Sequence, residues 1–236
     1  RLRVERCLFI CVENLAGTPM ISHILRCGRL FLQPQFVDFS ISATSGILIS
    51  AWLHQTVTLV GTSLLATTPL ILIVVLSLSA GLFSALRLAS TSTPAKLIRL
   101  PIFIPMTVLA ISGVFSSQLV SLQDWLLTSL APHGIWPGGK HRFLLFLLAA
   151  SPLNVPIAAA VCAAVTPVRR TEGAAPGLSA KSISGLVVGI MVASFGLLPI
   201  IGAAMTSIAA AIWILPLTAA VWRLASSEQP SQPGPA

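Results

Sequence analysis

Long apolar runs separated by short polar segments dominate this chain. A helix rises about 1.5 Å per residue, so roughly 20 residues cross the hydrocarbon core of a bilayer. Several runs reach or approach that length, and no charged residue occurs from Gln55 to Leu86. The pattern predicts five membrane-spanning helices, at about 57–86, 101–119, 143–165, 183–198 and 201–222.

The residues before the first of these runs are mixed in character. Residues 1–45 combine arginines with turn signals, which predicts a peripheral N-terminal arm. Residues 46–56 (GILISAWLHQT) follow, with Trp52 and His54. Because tryptophan is enriched at lipid–water boundaries, this stretch predicts an amphipathic interfacial helix, and His54 is most simply an interfacial polar residue.

The apolar runs and the mixed N-terminal residues together define the predicted fold and its domains. The predicted fold is an all-α integral membrane five-helix bundle, with the peripheral arm and the interfacial helix attached to it. Residues 46–225 form the five-span bundle, and 226–236 (SSEQPSQPGPA, from 226) form a short Pro-rich tail that is too polar to fold alone. Asn154 between Pro152 and Pro156 predicts either a bend in the third span or a helix start after Asn154 with Pro156 near its first turn.

Composition agrees with a lipid-facing surface. Of the 236 residues, 55% are hydrophobic and 8% are charged, and the mean hydropathy is +0.93. A soluble domain carries about 25% charged residues, and a third of that charge cannot coat a surface that faces water. Lipid, or the apolar surfaces of other subunits, is therefore the expected surrounding of most of this protein.

The net charge is +8, and the positions of the basic residues are more informative than the total. A basic soluble domain would suggest nucleic acid. Here the basic residues lie at the ends of apolar runs, where they indicate topology and contact with anionic headgroups. We therefore expect membrane lipid as a partner, and no nucleic acid.

The basic residues also favour one topology, because Lys and Arg concentrate on one side of a membrane. With five spans, the segments 87–100, 166–182 and the tail share a side, and the segment 120–142 lies on the other. The first side carries Arg87, Lys96, Arg99, Arg169, Arg170, Lys181 and Arg223, and the second carries Lys140 and Arg142. The Arg-rich residues 1–29 fall on the second side, against this bias.

Catalytic patterns are lacking. No carboxylate lies within a predicted span, and the sequence contains no HExxH, GxSxG or phosphate-binding glycine loop. The four cysteines have no histidine pair at zinc spacing and are interpreted as small apolar residues in packed helices. We expect no enzyme activity, no catalytic or metal site and no cofactor, with bound phospholipid such as cardiolipin as the expected ligand.

A small set of residues remains as candidates for a polar groove or for contacts with lipid headgroups. Arg87 ends the longest uncharged stretch, so it is either an arginine that snorkels from a helix end or one that faces a polar groove. Thr67 and Thr68 stand beside Pro69 and can satisfy the carbonyl that a proline kink frees. The full set is Arg87, Lys96, Arg99, Thr67, Thr68, Arg169 and Arg170.

The order of features resembles the YidC/Oxa membrane insertases over about residues 46–224. The segments that carry the resemblance are ISAWLHQTVTLVG before the first span, LATTPLILIVVLSL within it, LPIFIPMTVLAI opening the second, SLQDWL and HGIWPGGKHRF before the third, and LLPIIGAAMTSIAAAIWILPLTAAVWRL at the end. The resemblance implies a five-span bundle with this orientation, a role in membrane-protein insertion or assembly, and location in the mitochondrial inner membrane.

The sequence departs from that family in ways that change the expected role. The family places an arginine in the groove of its first span, near the position of Leu76 or Ser77 here. It also has a long charged hairpin between its first two spans, for which about 20 residues are too few. The chain has no tyrosine, which the family uses in its last span. We expect an insertase-like protein that is degenerate and serves as a structural subunit of a large membrane complex.

Two alternatives stay open. The first is an accessory subunit of a respiratory-chain complex that is unrelated to insertases. The second is the proton-channel a subunit of ATP synthase, which needs an arginine inside the membrane. Arg87 and the pair Arg169 and Arg170 are the arginines that this second alternative could use.

Overall fold

The computed structural model describes residues 33–61, 63–90, 99–130, 139–166 and 180–227. Over these residues the chain is all-helical, as predicted. A 3₁₀ turn, Ser151–Leu153, joins α5 to α6, and a π-helical turn, Ala193–Leu197, joins α7 to α8. The helices are α1 Pro34–Val60, α2 Leu64–Ser90, α3 Arg99–Val114, α4 Ser116–Leu130, α5 Gly139–Ala150, α6 Asn154–Val165, α7 Ala180–Val192 and α8 Leu198–Ser227.

Helix α1 lies at the centre of the described structure and corrects the prediction for the start of the chain. It begins at Pro34, a residue that suits the first helical turn because its missing N–H needs no partner there. The predicted boundary at residue 45 falls inside this helix. The residues predicted as an interfacial helix, 46–56, are its middle, and Trp52 is 1% exposed. Trp52 and His54 made this stretch look interfacial, but Trp52 packs inside the bundle while His54 is exposed.

The junction between α1 and α2 shifts the predicted first span. That prediction began at residue 57, but 57–60 complete α1, and Gly61 then adopts φ 88°, a conformation that favours glycine. Helix α2 begins at Leu64, and residues Thr67–Arg87 within it are long and apolar enough to span a membrane. Pro69 lies inside the helix.

The predicted second span is broken. Helices α3 and α4 meet at Phe115 and are bent by 71° relative to each other. Helix α4 occupies 116–130, most of which the sequence predicted as a loop. Its apolar and polar residues alternate at a helical period, so one side of α4 can pack on α1. Gln123 lies on that side and is 1% exposed, whereas Trp125 lies on the other side and is 60% exposed.

The predicted third span corresponds to a helical stretch in the structure. Residues Phe143–Val165 are long and apolar enough to cross a membrane. The 3₁₀ turn Ser151–Leu153 interrupts this stretch, and α6 begins at Asn154. Across it, Ser77 of α2 donates a hydrogen bond of 2.7 Å to Oδ1 of Asn154. The amide at the bend therefore ties α6 to α2.

The last two predicted spans appear as one apolar stretch of 45 residues, Ala180–Leu224. At about 1.5 Å per residue it is more than twice as long as a bilayer core is thick. It is interrupted at Gly202, where φ is 77° and ψ is 166°. The predicted division at Leu198 and Pro199 thus lies a few residues before the actual break in the helix.

Contacts on either side of Gly202 show that the chain reverses there. Along α7, Gly185 lies against Ser42 and Ser194 bonds Ser50, so α7 runs parallel to α1. Along α8 the order is opposite relative to α3, with Trp222 against Phe103 and Ala211 against Gly113.

Helix α3 in turn follows the direction of α1. A Cβ on Gly113 would lie 3.3 Å from a methyl of Leu48 on α1. Further along both segments, Gln123 of α4 lies within hydrogen-bond distance of Thr56 of α1. Helices α7 and α8 are therefore antiparallel beyond Gly202. By length and composition alone, four stretches could span a membrane, or five if α3 and α4 count as one.

Candidate functional site

One end of the bundle gathers four cations of the described helices, and we call it the basic end; Lys140 and Arg142 lie elsewhere, at the start of α5. It is defined by Arg87 at the end of α2, Arg99 at the start of α3, Lys181 at the start of α7 and Arg223 near the end of α8. The directions of the helices bring these four positions to one end. Only α2 and α3 are joined by a connection at that end, because α7 and α8 are joined at the other end. The arrangement suits contact with anionic headgroups.

Arg87 does not face a groove inside the bundle. Its side chain is exposed at the end of α2, and its guanidinium lies 5.4 Å from the ring centroid of Phe83, one turn earlier on the same helix. A cation over an aromatic ring is a favourable contact. An exposed arginine at a helix end agrees with the first interpretation of Arg87, and its side chain does not face the interior of the described bundle.

Exposed aromatic residues accompany the cations of the basic end. Phe83 is 60% exposed and Trp222, next to Arg223, is 58% exposed. Trp222 also packs edge-on against Phe103, with ring centroids 5.8 Å apart. Aromatic rings beside cations are typical of the level where headgroups meet hydrocarbon.

The two candidate threonines lie far from this end. Thr67 and Thr68 are in the first turns of α2, about 30 Å along the helix from Arg87 by the rise per residue. The hydroxyl of Thr67 donates to the carbonyl of Ser63 at 3.2 Å, and Thr68 is exposed. The threonines and Arg87 therefore do not form one site. Lys96, Arg169 and Arg170 lie outside the described residues, as does the side chain of Arg99.

An open groove lies near the opposite end, between α1 and the junction of α7 with α8. Its volume is about 430 Å³, within the range of small-ligand sites. The hydroxyls of Ser50 and Ser194 hydrogen-bond each other at 3.1 Å across it. The lining combines three polar side chains with an apolar remainder: Ser50, Leu53, His54, Val57, Ser194, Leu198 and Pro199.

The π-helical turn contributes Ser194 to the lining of this groove. The N–H of Leu198 bonds the carbonyl of Ala193, five residues earlier. The next bond of this pattern would run from residue 199 to the carbonyl of Ser194, but Pro199 has no N–H, so the π pattern ends there. Single π turns are frequent at functional sites.

The interior of the bundle holds hydroxyl and amide groups rather than charges. Among the described residues, the buried polar side chains are serines, threonines and Gln123. Most of the threonines satisfy themselves within their own helix, as Thr56 does with the carbonyl of Trp52 at 2.9 Å. Three buried groups have no protein partner: the Ser45 and Ser116 hydroxyls and the Trp52 indole N–H.

The sequence signalled part of the groove and missed the rest. His54 was noticed, but as a residue on the surface of an interfacial helix. Ser50 and Ser194 are 144 positions apart, and no local pattern joins them. The available signal was Pro199 three residues before a glycine inside a long apolar run, since such interruptions indicate a break in a spanning helix.

The class that these features define is an all-α protein with several helices long and apolar enough for a multi-pass membrane protein. Comparison with protein-family models, with curated proteins and with solved structures finds no match.

Proposed function

We propose that this chain is a multi-pass structural subunit of a membrane complex. The observation that carries the proposal is the lateral face formed by α7 and α8. The most apolar 18-residue window of the stretch Ala180–Leu224 has a mean hydropathy of 2.3, yet only 11% of that window is buried within the chain. A surface this apolar requires lipid or another membrane protein beside it.

The shape of that face favours a protein partner over lipid alone. The same stretch exposes large side chains such as Phe195, 76% exposed, and Trp213, 45% exposed, together with the small residues Ala204 and Ala209. Helices associate in membranes where small residues allow close approach and large ones pack into the gaps. Lipid contact requires only apolarity, so this mixed surface supports docking of a further helix.

We propose six passes rather than five. Helix α1 crosses the membrane, and the reversal at Gly202 divides the last stretch into two crossings. Both termini of the described structure then lie on the basic side, and in the sequence Arg26 and Arg29 precede α1 by a few residues. The five-pass arrangement placed these arginines against the positive-inside bias, so this topology removes that conflict.

The basic end is proposed to contact anionic phospholipid, cardiolipin in the mitochondrial inner membrane being the example that the insertase resemblance suggests. The length of the helices supports this placement. From Thr67 to Arg87 there are 21 residues, about 30 Å, which matches the hydrocarbon thickness. A headgroup at the basic end thus leaves the other end of α2 at the opposite surface.

Stoichiometry tests the proposal. The chain is purified under mild detergent from its native membrane, and its companions are quantified by mass spectrometry. A structural subunit comes with other membrane proteins in fixed ratio, and Ile212→Ser with Trp213→Ser on the exposed face releases them. Substoichiometric recovery with ribosomes or nascent membrane proteins indicates insertase activity instead, and recovery of the chain alone contradicts a subunit role.

A further inference from the structure

We propose that a buried water molecule binds where α3 breaks from α4 and bridges the indole N–H of Trp52 to the hydroxyl of Ser116. The site is independent of the structural-subunit role, because it lies inside the bundle and not on the outer face of α7 and α8. Three features point to it: the interrupted backbone at the break, the stripe of α1 that faces the break, and two buried groups that lack a protein partner.

The break interrupts the hydrogen bonds of the backbone. The N–H of Phe115 still bonds the carbonyl of Ile111, and the regular pattern resumes where the N–H of Leu119 bonds the carbonyl of Phe115. Phe115 belongs to neither helix, and the two helices are bent by 71°. A helix start carries N–H groups without partners in their own helix, so the first turn of α4 needs acceptors. A water inserted into the backbone ladder is one recognised cause of such a sharp bend.

One stripe of α1 faces this break. Leu48, Trp52 and Thr56 are four residues apart, so they lie on the same side of the helix. Leu48 meets the last turn of α3, since a Cβ on Gly113 would lie 3.3 Å from its methyl. Thr56 meets α4, where the amide nitrogen of Gln123 lies 3.3 Å from its hydroxyl. Trp52, midway between these two contacts, therefore lies opposite the break.

Two unsatisfied side chains come from the two sides of this break. Ser116, the first residue of α4, is 0% exposed, and Trp52 on α1 is 1% exposed. Neither the hydroxyl of Ser116 nor the indole N–H of Trp52 has a protein partner. A polar group buried without a hydrogen bond costs free energy, and one small molecule between the two helices satisfies both groups.

The donors at the break select the chemistry of that molecule. The indole N–H only donates, so the occupant must accept a hydrogen bond, whereas the hydroxyl of Ser116 donates or accepts. An anion also accepts, but the side chains that are buried within the described helices include no cation to balance its charge. Because Trp52 and Ser116 are enclosed, the occupant is small. Water is neutral and small, and it is held by two to four polar partners.

Two further polar side chains connect this site with the end of α1. Trp52 lies about 12 Å below Val60 by the rise per residue, and Thr56 lies between them. Thr56 and Gln123 are each 1% exposed and lie within hydrogen-bond distance of each other. Water on its way to the break therefore meets polar groups at an intermediate level, so we expect the bound molecule to exchange with the bulk.

Radiolytic labelling tests the site. The full chain in lipid nanodiscs is exposed to short X-ray pulses, which generate hydroxyl radicals from water, and oxidised residues are mapped by mass spectrometry. A buried side chain is oxidised where a bound water lies beside it. We expect oxidation of Trp52, and none of Met106, which is also 1% exposed, lies in the apolar core and is intrinsically more reactive.

Two variants then test the bridge. Ser116→Ala removes one partner of the water and should lower the oxidation of Trp52 at least threefold. Ser45→Ala is the matched control, because it removes another buried hydroxyl without a protein partner, two turns before Trp52 on α1, and should leave that oxidation unchanged. Each variant is first checked for the helix content and thermal unfolding temperature of the parent chain.

Two results would overturn the proposal. The first, oxidation of Trp52 no higher than that of Met106 in the parent chain, needs no variant and would mean that the break is dry. The second is oxidation of Trp52 that stays the same in a folded Ser116→Ala variant, which would mean that the two groups do not share a water.

Discussion

The central helix α1 and the stretch Ala180–Leu224 invert the rule that the most apolar segment is the most buried. The most apolar 18-residue window of α1 has a mean hydropathy of 1.4 and 61% of it is buried, whereas the corresponding window of Ala180–Leu224 reaches 2.3 with 11% buried. In water the second would collapse inward. In a bilayer the surrounding solvent is apolar, so the helix with more hydroxyl groups goes inside and the more apolar helices face out.

Small residues explain how α1 can be the central helix. A Cβ on Gly185 would lie 2.7 Å from the carbonyl oxygen of Phe39, and one on Gly189 would overlap the carbonyl oxygen of Ala43. On the other side, a Cβ on Gly46 would overlap the carbonyl of Leu186. The α1–α7 interface is therefore held at backbone contact, where van der Waals packing replaces the hydrophobic effect as the attractive term.

The largest expected effect comes from filling that contact. Gly189→Leu places a side chain where the backbone of Ala43 stands, and backbone cannot turn aside as a side chain does. We expect a loss of about 3 kcal/mol or more in the free energy of unfolding, measured by denaturation in mixed micelles. Gly196→Leu is the matched control, because a Cβ there meets nothing within 4 Å. Equal losses in both variants would contradict the close packing of α1 on α7.

Truncating one leucine in each region sharpens the same comparison. Leu48 of α1 is fully buried, and Leu215 of α8 is 62% exposed. We expect Leu48→Ala to cost about 2 to 5 kcal/mol through the cavity it leaves, and Leu215→Ala to cost less than about 1 kcal/mol because lipid fills the space. Unfolding of both variants in the same micelles measures the difference. A larger effect at Leu215 would mean that α8 is the buried helix.

A smaller effect is expected at the bend between α5 and α6. Ser77→Ala removes the bond to Asn154, and such bonds between membrane helices contribute about 0.6 kcal/mol on average. The exposed Ser79, two residues along the same helix, bonds only its own backbone, so Ser79→Ala should have almost no effect. A double-mutant cycle of Ser77→Ala with Asn154→Ala measures the coupling, and zero coupling would show that the bond does not form.

The smallest effect is expected at Ser45, whose buried hydroxyl has no protein partner. Removing an unsatisfied group removes its desolvation cost, so Ser45→Ala should be neutral or slightly stabilising. Ser42 is the contrast on the same helix, because its hydroxyl lies 3.2 Å from the carbonyl oxygen of Ala164 on α6. Ser42→Ala should destabilise by a few tenths of a kcal/mol, and the reverse order of the two variants would refute this accounting.

The sequence located a stretch that is strongly apolar and misjudged a helix that carries many hydroxyl groups. Residues 143–165 are apolar apart from Ser151 and Asn154, so hydropathy alone located them even though 44% of their most apolar window is buried. Helix α1 carries hydroxyl residues that hydropathy counts as polar, and only packing against four other helices makes them interior. The break at Phe115 and the joining of Ser50 with Ser194 likewise depend on contacts distant in sequence, which no local pattern encodes.

The candidate residues also divide into those that a local sequence pattern predicts and those that it does not. Arg87 and Arg223 stand at helix ends, where the alternation of apolar runs and cations predicts headgroup contact. The groove depends on a π turn, a proline and a chain reversal, each of which is set by how α7 meets α1. A charge pattern can be recognised within a short segment of sequence, whereas a groove between helices that are distant in sequence cannot.

The most direct test of the central claim, that α1 crosses the membrane, is the accessibility of single cysteines in sealed vesicles. After replacement of the four native cysteines, a cysteine is placed at Gln33, Ser63 or Gly202 and treated with an impermeant maleimide. We expect Ser63→Cys and Gly202→Cys to react from one side and Gln33→Cys from the other, with Gln33 on the side of Arg223. Reaction of Gln33→Cys and Ser63→Cys from the same side would contradict a spanning α1 and restore the interfacial helix.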